Sequence, residues 1–383
     1  GVNSIGKSML WDRHRTTDNL LGNLSIKYRI ADGLFFKLNT GIQYKNYLDY
    51  TFTPTYFMST RMGGNQPKAE LRKFRDLFTS NLIEGTLNYA KSFKDHSLDI
   101  IVGATQQKDI LETSGVIALG FPNNNIRQVG ASETIATAGG LKFVSTLRSF
   151  LGRINYNYKR KYFLSATVRQ DGSSRFSEDN RWGTFPSISG AWTVSKESFL
   201  EGSNLINNLK VRASYGELGS QNVQDYAYIP TLNINSDATF GFGQTRIPGV
   251  SQTNFSNPNI VWETTKMFNI GLDIGLFENK LAFTMDYFDK KSEDILVNLQ
   301  IPLSSGTSVP VPQNAAAVQN TGLELALMYN GSSGDFNYDF GGNITFLSNK
   351  VLDLGENVAP ISGGQYNESR STLTEAGHPV ASF

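Results

Sequence analysis

The stretch Leu164 to Trp192, LSATVRQDGSSRFSEDNRWGTFPSISGAW, decides how the chain is to be read. Leu164, Ala166 and Val168 alternate with Ser165, Thr167 and Arg169, so a pleated strand here has one apolar and one polar face. The segment RQDGSSRF interrupts the alternation, which resumes at Phe185 and Pro186. A soluble β-sandwich accommodates that pattern, and so does a sheet closed into a barrel across a membrane.

Outward from this stretch the same unit recurs. Leu24, Ile26, Tyr28 and Ile30 lead through Ala31, Asp32 and Gly33 into Leu34, Phe36 and Leu38. Ile83, Leu87 and Tyr89 lead through Ser92 to His96 into Leu98, Ile100 and Val102. Phe268, Ile270, Leu272 and Ile274 turn at Glu278 and Asn279 into Leu281, Phe283 and Met285, and Leu323, Leu325 and Leu327 turn near Gly331 into Phe336, Tyr338 and Phe340. Each reads as an antiparallel hairpin with an apolar and a polar side. About twelve strands are expected, each near the roughly 9 to 11 residues of a tilted bilayer crossing. Turns within hairpins are short, whereas Asn46 to Arg75, Gln107 to Thr146, Ser220 to Asn259 and Lys350 to Ser369 read as long polar links. That rhythm is the one of an outer-membrane barrel, with short periplasmic turns and long extracellular loops. Tyr156, Tyr158, Tyr162, Trp192 and Tyr287 are placed as girdle aromatics at strand ends. The link from Ser195 to Asn208 is expected to hold one helical turn.

Composition narrows the function classes. The 383 residues carry 35 Lys+Arg against 34 Asp+Glu, with no basic excess to hold a nucleic-acid backbone. The absence of Cys removes disulfides, thiolate metal sites and a cysteine nucleophile. No apolar run reaches the roughly 18 residues of a transmembrane helix, and a barrel needs none. The 25 Phe, 16 Tyr and 36 Gly suit strands and bends.

Five segments resemble the barrel of the SusC/RagA-type TonB-dependent outer-membrane receptors. They are RINYNYKRKYFLSATVRQDGSSRFSEDNRWGTFPSISGAWTVSKESFL, LKVRASYGELGSQN, NPNIVWETTKMFNIGLDIGLFENKLAFTMDYFDKKSEDIL, NTGLELAL and FGGNITFLSNKVLDL. The resemblance runs from about Phe150 to the end, and the earlier third fits in pattern. It implies an all-β antiparallel transmembrane β-barrel in the cell outer membrane, of about 22 strands with a plugged lumen. It also implies import of oligosaccharides or peptides, driven by the TonB complex through a plug and assisted by a SusD-like surface lipoprotein. Residues 1–383 are then expected to be part of one barrel domain, without the plug, the signal peptide or the closing C-terminal strands, and not expected to fold alone. A passive porin or adhesin barrel and a secreted all-β glycan-binding protein stay open as alternatives.

For the knot, Arg169, Asp171, Gly172, Ser173, Ser174, Arg175, Arg181 and Trp182 are the candidate rim and lumen residues. Arg175 and Arg181 are expected to pair with Asp171, Glu178 or Asp179, with contact to ligand or lid as the alternative. Tyr226, Tyr228, Phe240 and Phe242 lie on a long link, where aromatics suit stacking on sugars or a lid protein as well as self-packing. The charged run DYFDKKSEDI reads as an ion-pair ladder, with Asp286, Lys290 and Asp294 on one face. His14, His96 and His378 are too scattered for a zinc site, and no nucleophile elbow or phosphate loop is present. No catalysis, metal or cofactor is expected; outer-membrane lipid is the expected surroundings.

Overall fold

The computed structural model describes residues 4–57, 65–240, 245–252, 256–299, 304, 311–355, 359–366 and 369–383. A short helix, α1 (Ser4–Leu10), precedes a nearly unbroken series of strands. These are β1 (Asp12–Ala31), β2 (Leu34–Thr53), β3 (Glu70–Phe93), β4 (His96–Leu119), β5 (Thr134–Tyr158), β6 (Tyr162–Ser173), β7 (Trp182–Thr193) and β8 (Ile206–Ser220). They continue with β9 (Leu232–Phe240), β10 (Thr245–Gln252), β11 (Glu263–Leu276), β12 (Leu281–Leu299), β13 (Val311–Ser333), β14 (Phe336–Asp353), β15 (Ile361–Tyr366) and β16 (Ser369–Thr374). Twelve strands form one sheet in the order β1-β2-β3-β4-β5-β6-β7-β8-β11-β12-β13-β14, open at β1 and β14. Two small hairpins, β9 with β10 and β15 with β16, stand apart from it in hydrogen bonding.

The chain divides into two compact units, Gly1–Ile26 with Leu38–Gly85 and Thr105–Leu147, and Lys27–Lys37 with Thr86–Ala104 and Arg148–Phe383. The first packs Phe52, Leu71, Ala69 and Ala118 into a small buried cluster, with the Phe121 ring edge-on to Phe52 at 5.7 Å. The second has its largest buried side chains, Phe176, Ile260 and Val351, near strand ends and loops rather than in a central layer.

Register in the second unit sorts the mid-strand side chains by face. On one face Leu164 lies opposite Gly190, Gly190 opposite Ala213, Ala213 opposite Ile270, Ile270 opposite Tyr287, Tyr287 opposite Leu323 and Leu323 opposite Phe346. The other face carries Ser165, Ser189, Ser214 and Asn269 in one row and Thr167, Ser187 and Gly216 in the next. Val168, Ile188, Ile270 and Ile344 on the apolar face are 50%, 52%, 45% and 51% exposed. An apolar wall of this extent left in water would forfeit most of the ~25 cal/mol per Å² that burial supplies, so its solvent is an apolar one. No described helix is long and apolar enough to cross a membrane, which has no bearing on strands.

Several expectations are corrected. The first five strands run 20 to 25 residues, about twice the expected length. Strand pairing continues past the expected bilayer crossing, into ends that carry Phe52 and Ala118 to a small buried cluster. Thus β2 reaches Thr53 and β4 reaches Leu119, and the links after Asn46 and Gln107 are shorter than read from sequence. The links Ser220 to Asn259 and Lys350 to Ser369 are not loops throughout, since β9, β10 and β15 form within them and β16 starts at Ser369. The helical turn is 3-10 and sits at Val194–Lys196, and β7 begins at Trp182 rather than at Phe185. Tyr287 lies well inside β12, paired with Ile270 and Leu323, and is not an end residue.

The other four aromatics do gather at the short-turn end. Phe93 stacks on His96 at 5.1 Å, His96 meets Tyr158 at 4.8 Å, Tyr158 stacks on Tyr162 at 6.3 Å and Tyr162 on Trp192 at 6.4 Å. Tyr156 joins through its hydroxyl, 2.7 Å from His96 Nδ1. Glu197, just after the 3-10 turn, closes the row: its carboxylate accepts from Tyr162 Oη at 2.6 Å, Trp192 Nε1 at 3.1 Å and Lys161 Nζ at 3.3 Å. The Tyr162 bond, then that of Trp192, holds its pKa below the ordinary carboxylate value. A depressed folded pKa means that the clamp's stabilisation is complete above the unfolded value, roughly 4.3, and is lost as pH falls through the folded one. Tryptophan emission of the intact receptor is therefore expected to change on acidification below about pH 4, and Glu197→Gln to abolish that change. An unchanged acid response in the variant would remove Glu197 as its source.

Candidate functional site

The polar face of the second unit is hydrogen-bonded from strand to strand. On β5 the odd positions Ser149, Arg153 and Asn155 point to this face because the even ones, Phe150, Ile154 and Tyr156, belong to the apolar side. Asn155 donates to Asp99 Oδ1 at 3.1 Å and accepts from Ser165 Oγ at 2.7 Å. Arg153 Nε donates to Thr167 Oγ1 at 3.1 Å. Two shallow cavities open on this wall. One of about 370 Å³ includes Asp99, Asn155, Ser165, Ser189, Arg212 and Asn269, and one of about 630 Å³ includes Arg153, Thr167, Arg169, Ser187 and Glu217.

Arg212 is the charged centre of this face. Its guanidinium donates to Asp273 through Nε at 2.8 Å and Nη2 at 3.0 Å, and to Asp286 through Nη1 and Nη2 at 3.1 Å each. Asp286 stands on β12, two strands from β8, so Arg212 must cross β11 to reach it. It does so over Gly271, which pairs with both Arg212 and Asp286. A Cβ on Gly271 would stand 2.7 Å from Arg212 Cζ, so any side chain there would push the guanidinium out of its crossing path. The charged run DYFDKKSEDI thus divides: Asp286 joins Arg212, Glu293 pairs with Lys266 and Lys291 at 2.6 Å each, and Asp289 accepts from Gln319 at 2.9 Å. Asp294 leaves the ladder, because register shifts after Ser292 and its own φ is +56°.

At the long-link end, the RQDGSSRF knot folds over its own strand. The alternation ends in three consecutive buried residues, Asp171, Gly172 and Ser173. Asp171 takes both its hydrogen bonds from Arg169 Nε, at 2.8 and 2.9 Å, while Arg169 Nη2 donates to the buried Ser149 Oγ at 2.9 Å. Arg175 pairs instead with Asp225 at 2.8 Å and donates to the Gln221 carbonyl at 3.2 Å. These two bonds replace the expected pairing of Arg175 with Asp171, Glu178 or Asp179. Arg181 contributes its carbonyl, which accepts from Ser173 N at 3.1 Å and Trp262 Nε1 at 3.2 Å, while its Nε is buried without a hydrogen bond. Trp182 lies across Gly172, where a Cβ would stand 2.8 Å from its ring, and stacks on Phe150 at 6.1 Å. Below the knot Phe176 is fully buried against Trp262, with ring centroids 4.8 Å apart, and Phe185 meets Trp262 edge-on at 5.5 Å.

The structure therefore brings Arg169 and Asp171 together and sends Arg175 to the neighbouring link. Ser149, Asp225, Phe176 and Trp262, which sequence reasoning did not single out, complete the knot. Trp262 was within reach of it, as the one tryptophan in the quoted NPNIVWE segment. Ser174 is half-buried, and Tyr226 is exposed with φ at +65° while Tyr228 is half-buried. Phe242 and the Phe240 side chain lie outside the described residues. Among the described residues no group of three or more His, Cys, Asp or Glu is placed to hold a metal ion. His14 stacks on Tyr50 and His378 sits 3.6 Å from Glu375.

A sheet with one apolar face exposed and one hydrogen-bonded polar face has the pattern of a membrane-barrel wall. The family described as TonB dependent receptor-like, beta-barrel matches residues 3–378. The chain belongs to this family. Family barrels of this kind lie in the outer membrane, so the apolar face of this TonB-dependent receptor barrel is its lipid face. The chain is 33% identical over 376 residues to TonB-dependent receptor P3 of Formosa agariphila, covering 96% of this chain and 37% of that protein. It is 30% identical over 345 residues to TonB-dependent receptor SusC of Bacteroides thetaiotaomicron, covering 88% of this chain and 33% of SusC. The chain spans about a third of the length of these curated relatives. A chain of the RagAB peptide transporter structure has the same fold, with a TM-score of 0.85 at 22% identity over 97% of this chain and 40% of that one.

Proposed function

We propose that this chain is part of one barrel domain of a TonB-dependent importer that takes up large polar solutes, oligosaccharides or peptides, across the outer membrane. The observation that carries the reading is the polar face: hydroxyls and amides at Ser165, Thr167, Ser187, Ser189, Ser214 and Asn269 offer hydrogen bonds without a single-sign field. Such a wall solvates a neutral, hydroxyl- or amide-rich cargo and neither traps it by charge nor excludes it. The likeness to SusC and to the RagAB peptide transporter supports the same reading. A SusD-like surface lipoprotein is the proposed partner above the knot, and the TonB complex, acting through a plug, the proposed source of energy. Arg169 and Asp171 pair within the knot and Arg175 pairs with Asp225 of the neighbouring link, and we assign them to holding the rim rather than to gripping ligand.

The test uses the intact parent gene, tagged, in cells with and without a functional TonB complex. Uptake of the native oligosaccharide or peptide pool is expected to need both the gene and TonB, and a surface lipoprotein is expected to co-purify. Uptake that persists without TonB would replace the importer with a passive pore.

A further inference from the structure

Short turns of an outer-membrane barrel face the periplasm, where the leaflet is made of phospholipid. At that end of the second unit, the β3–β4 turn at Lys94 and Asp95 meets the β5–β6 turn at Lys159, Arg160 and Lys161. Lys94, Lys159 and Arg160 hold φ of +52°, +53° and +53°, a left-handed backbone uncommon outside glycine. The turns are tied together: Lys159 N donates to the Asp95 carbonyl at 2.7 Å, Arg160 N to Asn157 Oδ1 at 2.8 Å, and Lys196 Nζ to the Arg160 carbonyl at 3.2 Å. Between them lies a polar cavity of about 610 Å³, lined in part by Lys94, His96, Asn157, Arg160 and Lys161.

The charges here do not cancel. Asp95 is 3.8 Å from Lys159 and Glu197 is 3.3 Å from Lys161, which leaves Lys94 and Arg160 with no carboxylate partner among the described residues. The cations adjoin the row of Phe93, His96, Tyr158, Tyr162 and Trp192, and beyond that row the exposed apolar face begins at Ile154 and Leu164. Aromatic belts of this kind mark headgroup depth. A soluble anion would use the cations alone, whereas the sequence of cations, aromatic row and apolar wall fits one molecule with an anionic head and hydrocarbon tails.

We propose that this corner binds an anionic phospholipid of the periplasmic leaflet, its phosphate held by Lys94 and Arg160 and its acyl chains laid on the Ile154 and Leu164 face. The lipid then fixes the depth of the β3 to β7 turns in the leaflet. The proposal rests on the barrel reading, and the assay separates failure of the one from failure of the other. The intact parent receptor, purified in detergent, is titrated with phosphatidylglycerol or phosphatidylcholine and read by native mass spectrometry. Heat-shifted gel mobility checks that the barrel is folded.

The folded wild type is expected to retain phosphatidylglycerol over phosphatidylcholine. The double variant Lys94→Gln with Arg160→Gln is expected to bind phosphatidylglycerol about twentyfold more weakly, from the loss of two headgroup-level cations. Arg160→Lys, which keeps the charge, is expected to bind as the wild type does. Equal retention of the two lipids by folded wild type would overturn the site, as would an unchanged affinity in the folded double variant. Displacement of the lipid by millimolar inorganic phosphate would reduce it to an anion site and overturn the lipid assignment. Should the double variant lack the heat shift, loss of phosphatidylglycerol preference in folded Arg160→Lys would likewise overturn it.

Discussion

Replacing Arg212 by alanine is expected to destabilise the receptor barrel by about 3 kcal/mol, because Asp273 and Asp286 are left facing each other without a cation. The three side chains are about a third exposed or less, so solvent screens this repulsion only in part. The effect is to be read as a lower urea midpoint of the intact parent refolded in detergent. Two further variants separate charge from bulk. Gly271→Val keeps every charge but occupies the space over which the guanidinium crosses, and is expected to cost about 1 to 3 kcal/mol. Asp286→Ala combined with Arg212→Ala is expected to cost less than the two single changes summed, since one unpaired carboxylate goes with the other change. Strict additivity of the pair would show that Arg212 and Asp286 do not act on each other.

A charge placed on the lipid face is expected to be nearly as costly. Ile270 stands in the middle of β11 with Ala213 and Tyr287 as its cross-strand neighbours. Ile270→Arg is expected to lose about 2 to 4 kcal/mol, the range for a cation at mid-bilayer on the outer wall of a barrel. Its neighbour Asn269 belongs to the polar face, and Asn269→Ser is expected to cost less than about 1 kcal/mol there. The chain has no native Cys, so Val168→Cys and Thr167→Cys give a second, direct comparison. A fluorophore at Val168 should be quenched by a lipid-phase probe and one at Thr167 by a water-soluble probe. Equal quenching at both positions would put the two residues in one environment and overturn the assignment of faces.

How far the fold was legible depends on what each pattern encodes. Alternation such as Leu164, Ala166 and Val168 against Ser165 and Thr167 is a local signal. It marked β1 to β7 and β11 to β14 where the strands cross the apolar band, and the sheet does hold twelve strands. It did not give the lengths of β2 and β4, whose ends run on beyond a bilayer crossing and bury Phe52 and Ala118 in a local cluster that forms only when the strands meet. Nor could it find β9, β10, β15 and β16, whose two-stranded sheets form inside links that read as loops. The short-turn aromatics were legible as a group because interfacial residues are chosen by type, and Tyr287 was misplaced because type alone does not give depth.

The knot shows the same limit at the level of single residues. Its composition announced a charged rim, but the partners of Arg175, Asp225 and Gln221, are 50 and 46 residues away along the chain. Arg212 finds Asp273 and Asp286 at separations of 61 and 74 residues. The period of two along each strand determined, from sequence alone, which face Arg212, Asp273 and Asp286 occupy, whereas Arg175, Gln221 and Asp225 lie outside the strands. It leaves register undetermined, because sliding a strand by two residues restores the same faces with different neighbours. Only the paired sheet decided which side chains meet, through backbone hydrogen bonds that set the slide and through glycines such as Gly271 and Gly172 that let an arginine or a tryptophan lie across a strand.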